Sequence, residues 1–546
     1  MFARAFNRVV VHLLISSARA IILLFAMKPA LIICPFFTNG DWPPLGIACV
    51  NGALREAGEE PVCFDLNYQA LQEFPAELNL YRQLVNMGHA GEQVVFVLRP
   101  ELLISFLYRE DHPGLKWGVG PEEQPAAASL YLGLKWAVSR QADHILAHRP
   151  EAFLFSTYIS NLLWSMMLAR ELKARSPGTP IIFGGPGVGL PEVQGFVLGA
   201  GFADALVAGE GERTVVDLCR GIGEGRYRET AGVATLADGA VRLSPRTPGF
   251  LSELPSPSFT GFPLPGLEVA DYAANRPNPF RTPFFTGLPV YSSRGCVNRC
   301  AYCSESAYWK SFRFREPEAV FRDLARLSEE HREDHFLLGD SAVNFKHDWL
   351  RSFTGLLSGS GLDLKICAYM FADPALDRDM AESLFKAGFR YVTLGIETFS
   401  GRLRNKINKR YDGDDLFRPI CALTGAGIHV KANLLVGFPG ETEEDLEDSL
   451  RYIKRWRELS DSERGPGTLY WDAGHPLRLE AYSDLYNRPA EYGIRLIQDT
   501  TPSLPDEMQH LYPFIRPFFQ KWTTPARAEL IARSNLMQEL AGSERK

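Results

Sequence analysis

Val290-Tyr-Ser-Ser-Arg-Gly-Cys296-Val-Asn-Arg-Cys300-Ala-Tyr-Cys303 places three cysteines within eight residues, spaced C-x3-C-x2-C. Val290 to Ser293 is strand-like, so the thiols follow the carboxyl end of a strand. Three thiolates on one loop cannot close a tetrahedral zinc site without a fourth ligand. The nearest following histidines, His331 and His335, lie across a predicted helix. Three thiolates do suit a four-iron cluster with one iron left open to an exogenous chelating ligand. Zinc completed by a distant ligand is the alternative that the spacing leaves.

Downstream of the cysteines the chain repeats a strand–helix unit. Phe336 to Leu338, Leu364 to Tyr369, Tyr391 to Ile396 and His429 to Val436 read as strands. Helices are expected near 317–330, 347–358, 377–387, 413–426 and 443–458. The repeat suits a full or partial barrel over 286–460, with its reactive loops at one end. Residues 461–546 form a C-terminal accessory region, expected to be small and mostly helical.

Upstream, residues 28–225 also alternate. Ala30 to Pro35, Pro61 to Asp65, Ala152 to Ser156, Thr179 to Phe183 and Ala205 to Ala208 are short apolar runs, and Gly46 to Ala57 and Leu162 to Arg175 have helical periodicity. The pattern predicts a doubly wound, Rossmann-like parallel sheet with helices on both faces. Loops 36–45, 184–187 and 209–212 fall at strand carboxyl ends, where such sheets bind ligands. Residues 70–150 read as a helical insertion. Residues 226–285, rich in Pro and Gly, read as a linker with one hairpin near Ala237-Asp238-Gly239. Residues 1–27 are an apolar extension whose run Ala20 to Ala26 is too short to span a bilayer, which takes about 20 residues. The expectation is a spurious or disordered extension, ahead of an interfacial helix or an export signal.

The 546 residues carry 58 Lys and Arg against 65 Asp and Glu, a net charge of −7. That balance gives no global electrostatic reason to bind nucleic acid or anionic membrane. Nine cysteines are too few for a disulfide scaffold, and their clustering points to metal chemistry in a reducing, cytoplasmic compartment.

The cysteine motif, with Tyr302 at its aromatic position, resembles that of the radical S-adenosylmethionine (SAM) superfamily. The resemblance implies a 4Fe-4S cluster on Cys296, Cys300 and Cys303, with SAM chelating the open iron and cleaved to a 5′-deoxyadenosyl radical. It implies SAM contacts at Tyr302, at Gly339 and Asp340 after the second strand, at Glu397 in Gly395-Ile396-Glu397-Thr398, and at Asn433. Gly-Asp stands where many members have Gly-Glu. Val436-Gly437-Phe438-Pro439-Gly440-Glu441-Thr442 is similar to a further family element, although it also reads as a turn opening a helix.

Pro43-Pro44-Leu45-Gly46-Ile47, Ser156-Thr157-Tyr158-Ile159-Ser160-Asn161, Gly184-Gly185-Pro186 and Gly209-Glu210-Gly211-Glu212 resemble cobalamin-binding domains fused to such barrels. The implied cobalamin contacts are Pro43, Leu45, Gly46, Thr157, Ser160, Gly184, Gly185, Pro186, Gly209 and Glu210. No Asp-x-His occurs in 28–225, so a bound cobalamin would lack a protein imidazole on cobalt. The resemblance implies a cobalamin-dependent C-methyltransferase needing an electron donor such as flavodoxin or ferredoxin and acting on a small-molecule or peptide substrate. Cyclisation or rearrangement on the same architecture is the alternative. A methylthiotransferase would need a second cluster, but Cys34, Cys49 and Cys63 read as core residues. A non-catalytic protein with a relic cluster fits poorly with an intact cysteine triad.

Overall fold

The computed structural model describes residues 26–35, 43–81, 100–111, 120–264, 287–477, 479–480, 482–499, 506–511, 513, 520–522, 532–533, 535–537 and 539. Residues 1–25 of the expected extension, 36–42 of the first strand-end loop, and His89 and His112 lie outside them.

The first sheet contains β1 (Pro29–Ile33), β2 (Val62–Asp65), β3 (Ala152–Ser156), β4 (Ile181–Gly184), β5 (Ala205–Val207), β6 (Val233–Ala237) and β7 (Ala240–Leu243) in the order β2-β1-β3-β4-β5-β6-β7. The first five are parallel, and β6 and β7 add an antiparallel hairpin. β1 is buried at all five positions because both faces are covered. Ala30 and Ile32 enter one core with the insertion helices, while Leu31 enters the other with Ile47, Leu54 and Val215. Strand order reverses between β1 and β3, which opens a crevice at their carboxyl ends.

The expected linker 226–285 is corrected in two places. Its hairpin belongs to the sheet, as β6 and β7. Residues 251–262 are not a free tether but lie across the helix Leu45–Glu56. Ser258 N donates to Ala48 O at 2.9 Å, and Asn51 Nδ2 donates to Ser258 O at 2.9 Å and Thr260 O at 3.0 Å. Gly52 permits this crossing, since a Cβ there would sit 2.0 Å from Ser256 O.

The second sheet is all parallel. It consists of β8 (Leu288–Val290), β11 (His335–Leu338), β12 (Lys365–Met370), β13 (Phe389–Glu397), β14 (His429–Val436) and β15 (Leu469–Pro476), in that spatial order. Between its first two strands, β9 (Ser293–Arg294) and β10 (Arg313–Phe314) pair antiparallel and bracket the cysteine loop. The arrangement is a partial six-stranded barrel. Its sixth strand comes from the region expected to be helical. Asp472 and His475 interrupt the apolar run of β15 and hide its strand character.

The helix Glu443–Glu458 locks the barrel's closing loop through its capping box. Asp445 accepts from Thr442 N at 2.8 Å and Thr442 Oγ1 at 2.9 Å, and it also pairs with Ser400 and Arg402. Although burial works against it, these partners hold its carboxyl down to about 2. A carboxylate with a depressed folded pKa stabilises above its unfolded value, near 3.9, and that stability is lost as pH falls through the folded value. Asp445→Ala is therefore expected to cost about 1–3 kcal/mol near neutrality. In acid titrations the gap between variant and wild type should close between about pH 4 and 2. A gap that persists unchanged at low pH would reject this role.

Candidate active site between the two sheets

The chain leaves β9 through Gly295, whose φ of +82° and a would-be Cβ only 2.9 Å from Ser311 O exclude side chains. Cys296, Cys300 and Cys303 follow, free and half-buried. Burial pushes the Cys300 thiol up to about 11 and Cys303 up to about 12, and the neighbouring thiols oppose further ionisation of Cys303. Three thiolates on one short loop need a cation to share them, which is what a metal cluster supplies. The loop is fastened from outside. Ala301 N donates to Ile407 O at 2.8 Å, Asn408 Nδ2 to Arg299 O at 2.8 Å, and Leu485 N to Ala301 O at 3.1 Å. Ala301 packs with Leu403, Ile407, Phe438 and Leu485, so the C-terminal region caps the motif.

Asp340, an implied SAM contact, is held by the strand that leads into the cysteines. It is buried, and its carboxylate accepts from Ser292 N at 3.0 Å, Ser292 Oγ at 2.9 Å and Ser293 Oγ at 2.5 Å, as well as from Ser293 N. These donors make the short aspartate an anchor for the strand leading into the cysteines. Gly339 faces the first domain, with a would-be Cβ 3.5 Å from Leu45 Cδ2.

Glu397 ends β13 at a register shift, with φ +67°. The turn aims its carboxylate at Lys409 Nζ, 2.8 Å away, in a pair that is about nine-tenths buried. Lys409 also donates to Gly395 O at 2.8 Å. Burial, followed by the Glu397 charge, pushes the Tyr302 phenol well above its ordinary range, so Tyr302, Glu397 and Lys409 form one cluster beside Cys300. Asn433 on β14 has a buried Oδ1 with no hydrogen-bond donor. Such an orphan acceptor is costly unless a ligand satisfies it. A cavity of about 420 Å³ opens at this end of the barrel, lined by Asn298, Asn344, Gly395, Arg404 and Lys409 among others. Lys409 and Arg404 carry no motif that marks them in the sequence.

A second cavity, about 180 Å³ and walled by Leu31, Ile47, Val50 and Leu154, lies at the carboxyl ends of β1, β3, β4 and β5. Gly46, Gly184, Gly185, Pro186, Gly209 and Glu210 all line it. A Cβ at Gly46 or Gly209 would meet nothing within 4 Å, so these glycines leave open space for a ligand. Ligand pockets typically run to about 300–1,000 Å³, so this cavity takes part of a large ligand rather than all of one. Pro43, Leu45, Thr157 and Ser160 are not in its lining. Leu45 packs against the barrel core, Thr157 Oγ1 donates to Gly184 O at 2.8 Å, and the Ser160 carbonyl accepts from Tyr81 Oη at 3.1 Å. His144 and His148 pack edge-on to Phe64, with ring centroids 5.4 and 5.3 Å away.

The wall facing the cysteines is a charge network. Arg294 Nη1 lies 2.8 Å from Glu210, its Nη2 pairs with Glu212, and Arg313 Nη2 lies 2.6 Å from Glu210. Against the effect of burial, Arg313 and Arg294 hold the Glu210 carboxyl below its ordinary range. The Arg294 guanidinium stacks 4.6 Å from the Tyr291 ring centroid and 5.4 Å from that of Trp309. Glu210 thus meets arginines as well as the cavity, and Arg294, Arg313, Tyr308 and Trp309 join the site unannounced by any motif.

Residues 290–453 match the family model for the radical SAM superfamily. An uncharacterized methyltransferase of Pyrococcus horikoshii is 27% identical over 282 residues, covering 49% of this chain and 57% of the relative. An anaerobic magnesium-protoporphyrin IX monomethyl ester cyclase of Rubrivivax gelatinosus is 25% identical over 270 residues, covering 47% of this chain and 46% of the relative. The chain spans about half the length of these curated relatives. Among solved structures, the radical SAM methyltransferase TsrM from Kitasatospora setae, with cobalamin and a 4Fe-4S cluster bound, aligns with a TM-score of 0.61 at 15% identity, over 94% of this chain and 91% of that one. Residues 290–453 are thus similar to the radical SAM superfamily, and the two sheets share the fold of that cobalamin-bound enzyme.

Proposed function

We propose that this chain is a radical SAM enzyme that transfers a methyl group from SAM to an unactivated carbon with the help of cobalamin. The observation that carries the reading is that Arg294, two residues before the three-cysteine loop, also lines the open, glycine-lined cavity. When bound, the 4Fe-4S cluster supplies the electron that cleaves SAM, and cobalamin carries the methyl group.

The chain's own residues have separable tasks. Cys296, Cys300 and Cys303 hold the cluster, and Asp340 fixes the strand that presents them. Asn433 offers SAM an acceptor, and the Lys409–Glu397 pair with Tyr302 fixes the cluster-side edge of its site. Gly46 and Gly209 would leave room for cobalamin at the cavity. Leu477, Leu485 and Ile494 cover the loop and exclude water from it. The methyltransferase relatives support this reading.

An external donor such as flavodoxin or ferredoxin supplies the electron, in a reducing setting such as the cytoplasm. No described helix is long and apolar enough to cross a membrane. The cyclase relative supports a second reading, ring-forming radical chemistry on the same scaffold.

The test is anaerobic production with cobalamin supplied, followed by iron and cobalamin analysis and tracing of isotopically labelled SAM methyl. The expected result is about four irons and one cobalamin per chain, with label in the product. Iron without cobalamin rejects methyl transfer through cobalt, and a chain unable to hold iron rejects the radical chemistry altogether.

A further inference from the structure

The barrel-end cavity of about 420 Å³ is basic, in a chain whose net charge is −7. Lys346, Arg404, Lys409 and Arg410 line it, against Asp373 as the acidic residue among the described lining. Two of the cations are already committed. Lys409 pairs with Glu397, and the buried Arg404 donates to main-chain carbonyls. Asp373 is committed too: its Oδ2 lies 3.1 Å from His347 Nε2, and its Oδ1 accepts from Ala375 N at 2.9 Å. Lys346 and Arg410 are exposed and have no carboxylate partner among the described residues. The walls of a cleft focus the field of such charges onto whatever enters it.

Both free cations stand on braced backbone. Arg404 donates to the carbonyls of Ile396, Thr398, Arg410 and Tyr411, which pins the segment 409–411 to the end of β13. Tyr411 takes φ +61° there. In the loop after β11, Asn344 Nδ2 donates to Phe371 O at 2.9 Å, and Asn344 Oδ1 accepts from Phe371 N at 3.1 Å. Lys346 follows at the N-cap of the helix His347–Gly359, with its Nζ 5.9 Å from the Phe314 ring centroid. Backbone fixed in this way leaves only the two side chains to be ordered by a ligand, which lowers the cost of binding.

We propose that this cavity takes an anionic group of the substrate, a carboxylate or a phosphate, with Lys346 and Arg410 as its recognition residues. Each side chain offers charge-assisted hydrogen bonds to an oxyanion, the guanidinium through two parallel N–H donors. An ammonium group would be repelled, and a neutral amide would gain only the weaker bonds. The inference rests on the proposed function in treating the occupant as substrate, with SAM as a separate ligand of the same barrel end.

The full chain, reconstituted anaerobically and without reductant, is titrated calorimetrically with benzoate and with neutral benzamide, in the absence and presence of SAM. Benzoate should bind about tenfold tighter or more, and added salt should narrow the gap. Lys346→Gln and Arg410→Gln should each cut the preference about threefold, and the double variant should abolish it. Lys454→Gln, exposed on the helix Glu443–Glu458, should leave it intact. Both recognition side chains are exposed, so the variants should melt with wild type. Equal binding of the two probes, or a preference that survives the double variant, overturns the proposal. Loss of the preference when SAM is added also overturns it, because the cations would then serve the carboxylate of SAM. Iron content and SAM cleavage report on the proposed function independently of these titrations, so the two failures are distinguishable.

Discussion

Cys300→Ala is expected to leave less than about one iron per chain after anaerobic reconstitution, against about four in wild type, and to abolish formation of 5′-deoxyadenosine from SAM. Two thiolates cannot retain a cluster that three hold with one iron open. The remaining thiols, already pushed up by burial, have little reason to ionise without it. The side chain is half-buried beside Ala301 and Tyr302, so losing the sulfur costs little packing, and thermal unfolding of the iron-free proteins should nearly coincide. That pairing of results separates a ligand from a core cysteine. Cys367 supplies the control: burial pushes its thiol up to about 12 on β12, and its alanine variant should keep iron while losing stability. A Cys300 variant with full iron and SAM cleavage would remove it from the ligand set.

Much of the scaffold is legible in the sequence because strands covered on both faces leave short apolar runs between longer helical ones. Ala152–Ser156 and Leu162–Arg175 coincide at both ends with their sequence readings for this reason. Legibility fails where burial is one-sided or the run is broken. β7 exposes three of its four residues at the sheet edge, so its hairpin is legible but its place in the sheet is not, and Asp472 and His475 interrupt β15. At the site, the cysteines and the strand-end glycines are visible because their chemistry demands particular residue types at short spacing. The partners of those groups are not visible. Asp340 looks the same in sequence whether it meets a ligand or Ser292, and only the fold shows four donors closing on it. Lys409 reaches Glu397 through a turn whose positive φ no pattern announces. Arg294 meets Glu210 across 84 residues of chain, a pairing that depends on how two separately folded sheets dock.

Arg294→Ala is expected to destabilise the joint between the sheets by about 3–5 kcal/mol, lowering the melting temperature by roughly 10 °C. Glu212 is 3% exposed and has Arg294 as its ion-pair partner, so the substitution strands a buried charge. Glu210 retains Arg313 and should suffer less. Lysine should rescue only in part, since a single ammonium cannot bridge two carboxylates as a guanidinium fork does. Arg294→Met combined with Glu212→Gln should recover most of the loss, because removing both charges leaves nothing stranded. The same arginine lies two residues before Cys296 and lines the first-domain cavity, so it ties the cysteine loop to the wall of the proposed cobalamin site. Arg294→Ala should therefore lower cobalamin per chain and loosen iron retention together, while Arg213→Ala, at an exposed ion pair with Glu253, changes neither. If cobalamin and iron contents both match wild type despite the lost stability, Arg294 is a structural tie alone, and docking of the sheets does not position the two cofactor sites through it.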